Sequence, residues 1–154
     1  MVNLRQFASS MGKALGLLDI VGSLIISRSS AKLASVYQLE SGVWSRLSDM
    51  ARARDLHACV AMEGNLYIFG GYGTQFSVEI MKISTKERKA GPRLYKGFSG
   101  GQAFVHNSSI YLVYKEGNVR KLTPDGWEDV ANVGWIGWRP VYPAPLVTAD
   151  ILGC

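Results

Sequence analysis

Two cysteines, Cys59 and Cys154, stand in 154 residues. That is too few for a disulfide framework. Cys59 sits in the apolar run Ala58-Cys59-Val60-Ala61 and reads as a small buried hydrophobe. Histidine is equally scarce: His57 and His106 are the two in the chain, and no close Cys/His pairing offers the four ligands of a zinc site. Charged residues make up 19%. The net charge of +5 is scattered, and its densest cluster, Lys86, Arg88 and Lys89, is interrupted by Glu87. That pattern describes a solvated loop and not a nucleic-acid face. Long hydrophobic runs are missing too. The apolar stretch from Ala14 to Ile26 contains Asp19 and is too short for a membrane span, which needs about 20 apolar residues. It also lacks the basic start and the cleavage site of a signal peptide. The expected compartment is therefore the cytoplasm, with a secreted product as the alternative if Met1 is not the true start.

Glycine, by contrast, is abundant: 17 residues, about 11% against a usual value near 7%. Aromatics reach 10% and hydrophobic residues 47%. Many turns and many aromatics in an apolar chain predict short strands around a real core. The clearest unit is Leu56 to Gly71: a strand, a tight turn at Glu63-Gly64-Asn65, a second strand Leu66-Tyr67-Ile68-Phe69, and the pair Gly70-Gly71. A third strand follows from Ser77 to Ile83. The frame recurs downstream as Gln102–Val105, a turn at 106–109, Ile110–Val113 and Val119–Leu122, with Trp127 five residues later. Upstream it reads Gly16–Leu18, a turn at 21–23, Leu24–Ile26 and Val36–Leu39, with Trp44 five residues later. Leu24, Leu66 and Ile110 are spaced by 42 and 44 residues. A period of this size with several strands per unit is the signature of a propeller.

The expected fold is all-β, a partial β-propeller of about three four-stranded blades. The units fall at 12–53, 54–97 and 98–138. Residues 1–11 form an N-terminal segment in which Leu4, Phe7 and Met11 fit a short helical face. The tail 139–154 starts a further copy, with two prolines, Pro143 and Pro145, that suit an edge strand. Three blades fall short of the four to eight that usually close a ring. Two such chains would make six, so a homodimer completing the ring is one expectation and a truncated product another.

These residues resemble kelch repeats. The likeness rests on the strand-turn-strand unit ending in Gly70-Gly71, on Tyr67, on Val78-Glu79 in the third strand, and on Trp44 and Trp127 near the repeat ends. WD repeats have a similar period, but neither a Gly-His start nor a Trp-Asp end occurs here. The pattern is strong in the middle unit and weaker in the flanking ones. Unit one has Ser27-Arg28 and unit three Tyr114-Lys115 in place of the glycine pair, and unit two has Arg88 in place of the tryptophan. Physically, the glycine pair permits close approach of backbone or a ring, and the tryptophans supply apolar area between blades. The resemblance implies a protein-interaction module that offers loops at one end of the ring to a protein partner, with arginines set against an acidic segment. Arg52, Arg54 and Asp55, in the loop entering the middle blade, are the candidate contacts, since a guanidinium fork binds carboxylates in a bidentate way. The competing reading is a solvated loop, or an arginine paired with a blade carboxylate such as Glu79. In the family such blades often stand beside a BTB domain and recruit substrates to a cullin ubiquitin ligase; no BTB segment is in this chain.

Catalytic signals are weak. Gly97-Phe98-Ser99-Gly100-Gly101 matches the hydrolase nucleophile elbow, but a strand pattern follows where a helix is needed, and no acid lies between Ser99 and His106. No phosphate-binding or dinucleotide loop is present. His57 and His106 belong to different units and opposite strand ends, which argues against a shared metal. Asn107-Ser108-Ser109 is a glycosylation sequon on a turn, relevant only to a secreted protein. The expectation is a non-enzyme without cofactor or metal. A fragment of a propeller enzyme, of the copper oxidase or sugar-acting type, is the alternative.

Overall fold

The structure is a computed structural model that describes residues 15–20, 23–30, 33–40 and 43–134. The helix expected before Gly12 and the further copy expected after Arg139 lie outside the described residues. Twelve strands form three four-stranded antiparallel sheets, each a meander in chain order. The first holds β1 (Leu15–Ile20), β2 (Ser23–Ser30), β3 (Leu33–Glu40) and β4 (Val43–Asp49). The second holds β5 (Ala58–Met62), β6 (Asn65–Phe69), β7 (Val78–Lys82) and β8 (Arg88–Ala90). The third holds β9 (Gly101–His106), β10 (Ser109–Tyr114), β11 (Asn118–Thr123) and β12 (Gly126–Asn132). The first strands of successive sheets, β1, β5 and β9, lie next to one another. This is the arrangement of propeller blades around an axis.

Two-residue turns join the first two strands of the second and third blades. Glu63 and Gly64 have φ of 50° and 73°, and Asn107 and Ser108 have 46° and 53°. Positive φ at both central residues is the hairpin turn whose twist matches its strands. The third blade makes it without glycine.

Both faces of the middle blade are buried, which explains why its strands read as continuous apolar runs and not as alternating ones. Leu66, Ile68, Met81 and Cys59 pack on Val36 and Met50, towards the first blade. Phe69, Ala58, Val60, Val78 and Ile80 pack on Ile110, Leu112 and Tyr114, towards the third. Tyr67 joins this second cluster and lies parallel to Phe69 at 6.4 Å.

The positions that depart from the repeat have visible consequences. Gly70 and Gly71, at φ of 57° and 94°, end β6. A Cβ on Gly70 would stand 2.4 Å from the Phe98 carbonyl oxygen, and one on Gly71 would stand 2.9 Å from that of Asp55. The pair therefore lets the loops leading into two successive blades cross β6 at contact distance. In the first blade, where Ser27-Arg28 replaces the pair, the β2–β3 ladder runs on to Ser30 and Leu33. Trp127, opposite Leu122, leans back on the middle blade: its Nε1 donates to Pro92 O at 3.1 Å and its ring meets Phe69 edge-on at 5.7 Å. Arg88, opposite Met81, makes the same backward reach by polar contacts with Ser48 Oγ and Asp49 O, and it also pairs with Glu79 in its own blade. Trp44 holds the equivalent place opposite Leu39 in β4; its side chain lies outside the described residues.

Candidate interaction rim

Because each blade is an antiparallel meander, its connections alternate between two ends. Segments 50–57, 70–77, 91–100 and 115–117 lie at one end, and the turns at 63–64, 83–87, 107–108 and 124–125 lie at the other. The first end is the rim on which the sequence places Arg52, Arg54 and Asp55.

Main-chain hydrogen bonds lace three of its segments together. Tyr72 N donates to Asp55 O at 2.7 Å, Gly71 N to Phe98 O at 2.9 Å, and Gly100 N to Leu56 O at 2.9 Å. Leu94 N donates to Phe76 O at 3.0 Å and Phe98 N to Gln75 O at 2.8 Å. Loops with their polar groups satisfied by one another form a fixed surface and not a set of free ends. Phe98 anchors this surface: it is wholly buried and meets Tyr114 edge-on at 5.1 Å.

Arg52 and Asp55 stand exposed on the rim. Asp55 Oδ1 accepts from Leu56 N at 2.9 Å and fixes a turn in which Leu56 takes a φ of 56°. Arg54 corrects the expectation of a partner contact. It is 3% exposed, and its guanidinium donates to Gly70 O at 3.0 Å, Ser77 Oγ at 2.9 Å and Glu79 Oε2 at 3.2 Å. Glu79, 5% exposed, also accepts from Ala51 N at 2.9 Å. The competing reading of Arg54, pairing with a blade carboxylate, is the one found. Burial lowers the Arg54 pKa, and the Glu79 charge opposes that shift. The pair clasps the incoming loop to the middle blade.

Three exposed aromatics that sequence reasoning missed complete the rim: Tyr72, Phe76 and Tyr95. Arg93 lies over the Phe76 ring at 5.4 Å. Neither Arg52 nor Arg93 pairs with a carboxylate among the described residues. Their place in the repeat, in loops at the glycine-pair end, was the one available signal. Among the described residues no group of three His, Cys, Asp or Glu side chains gathers to hold a metal ion. No helix among them is long and apolar enough to cross a membrane. Ser99 of the elbow-like motif is partly buried, and no strand–helix turn surrounds it.

His57 is fully enclosed behind the rim. Burial first and the Arg54 charge second push its imidazole down from 6.5 to about 4, against a hydrogen bond to the Arg54 backbone. The native state therefore holds it neutral, while the unfolded chain takes up a proton below about pH 6.5. Stability is lost as pH falls from about 6.5 to about 4, by about 3 kcal/mol in all, and this loss levels off below. Urea unfolding across that range should show the slope in the natural chain and a flattened one in His57→Gln. Equal slopes in the two proteins would refute the assignment.

Fold and repeat define the class first: a partial β-propeller. A solved structure titled "Structure of YjhT" superposes with a TM-score of 0.68 at 18% identity, over 81% of this chain and 52% of that one. No protein-family profile matches the chain. An F-box/kelch-repeat protein of Arabidopsis thaliana is 41% identical over 59 residues, 37% of this chain and 16% of the relative. The chain is thus a partial β-propeller, with a 59-residue stretch similar to a kelch-repeat protein. It spans about half of the solved structure and a sixth of the curated relative that it matches.

Proposed function

We propose that the chain is a non-catalytic protein-interaction module that binds an acidic segment of a protein partner on the rim formed by 50–57, 70–77 and 91–100. One observation carries this reading: loops of successive blades are tied into one surface that presents Arg52 and Arg93, without carboxylate partners among the described residues, beside Tyr72, Phe76 and Tyr95. Arginine and tyrosine are the residue types that most often dominate binding energy at interfaces. The kelch-repeat likeness agrees with such a role.

Arg52→Glu/Arg93→Glu should abolish capture of the partner while leaving the melting temperature unchanged, because both side chains are exposed. Lys82→Glu/Lys86→Glu, an equal charge change at the opposite end, should keep capture intact. Quantitative affinity capture with the three proteins distinguishes the cases. Partners retained by the rim variant and lost by the opposite-end variant would overturn the proposal.

A further inference from the structure

The middle and third blades hold their incoming loops by opposite chemistry. Glu79 stands opposite Ile68, and Arg120 stands opposite Leu112 at the same place in the repeat. In the middle blade the loop brings the arginine and the blade the acid. In the third the blade brings the arginine, and the loop lays the Tyr95 ring over it at 3.5 Å. The Tyr95 hydroxyl donates to Asp129 Oδ2 at 2.9 Å, and Asp129 Oδ1 accepts from Arg120 Nε at 2.8 Å.

Their burial differs in a way that matters. Arg54 and Glu79 are both enclosed, so parting them would strand a buried charge. Arg120 is 2% exposed, but Tyr95 is 63% exposed and the Asp129 side chain 61%. Arg120 keeps its bonds to Asp129 and to Trp127 O, at 3.1 Å, when Tyr95 leaves. We infer that Tyr95, Asp129 and Arg120 form a releasable latch, which makes residues 95–97, between the buried anchors Leu94 and Phe98, the adjustable lip of the rim, while the 50–57 segment is fixed. Asp129 and Arg120 are thus positioning residues for the contact surface. The latch bears on binding only through the proposed function, but it is testable without a partner.

Hydrogen exchange supplies the test, read at the Leu94 and Phe98 amides, which donate to Phe76 O and Gln75 O. Tyr95→Ala and Asp129→Asn should speed exchange there about tenfold, with β6 and β7 unchanged. Tyr95→Phe keeps the ring on Arg120 and removes the hydroxyl, so it should give a smaller rise, about threefold. Unchanged exchange at Leu94 and Phe98, or an equal rise across β6 and β7, would overturn the latch. Loss of capture in Arg52→Glu/Arg93→Glu, measured separately, keeps the two proposals distinguishable.

Discussion

Replacing Glu79 by alanine should cost about 3–5 kcal/mol of stability, because it removes one partner of a buried ion pair and leaves the other charge stranded. For a chain of this size that corresponds to a fall of roughly 10 °C in Tm. The substitution takes acceptors from Arg54, from the Ala51 amide and from Arg88 together. Ala51 and Arg54 belong to the segment that follows β4, and Glu79 to β7, so the junction between the first and middle blades should loosen. Glu79→Gln, which keeps an acceptor for Ala51 N, should lose less. Arg54→Met/Glu79→Leu should recover most of the loss, since an apolar pair of similar volume carries no desolvation penalty. Chemical denaturation of the single and double variants closes the cycle. Additive losses would show that the two side chains act independently and would contradict the clasp.

Gly70→Ala should be the second large effect, about 3 kcal/mol or more. Two costs combine: a φ of 57°, unfavourable for any residue with a Cβ, and a Cβ 2.4 Å from the Phe98 carbonyl oxygen. The backbone cannot yield cheaply there, because that oxygen also accepts from Gly71 N and Phe98 itself is wholly buried. Gly64→Ala separates the terms. Gly64 has a φ of 73° with nothing within 4 Å of the added carbon. It should therefore show the conformational cost alone, about 1 kcal/mol. Equal losses at Gly64 and Gly70 would mean that close approach at the glycine pair contributes nothing.

The blade architecture was legible because it is written locally. Apolar runs such as Leu66–Phe69 and Ile110–Val113 mark strands buried on both faces, and Glu63-Gly64 marks a turn by its backbone freedom alone. The repeat then set the register, so that Trp127 falls opposite Leu122 as its spacing implies. The rim was legible only in part. Arg52 and Asp55 were placed on this end from the loop position, and both are exposed there. The fate of Arg54 depends on Glu79, 25 residues away in sequence. Tyr95 and Arg120 escaped notice for the same reason. A tyrosine in a loop and an arginine in a strand carry no mark of a contact that exists only after two blades have packed. Arg88 read as a damaged tryptophan position, yet it reaches the preceding blade by polar contacts.

The central claim is that the rim of 50–57, 70–77 and 91–100 is the contact surface. Hydrogen exchange of the chain, free and bound to a captured partner, tests it most directly. The account predicts protection confined to those three segments, strongest around Arg52, Tyr72 and Arg93. Protection at the 63–64, 83–87 and 107–108 turns, with the three rim segments unchanged, would contradict it.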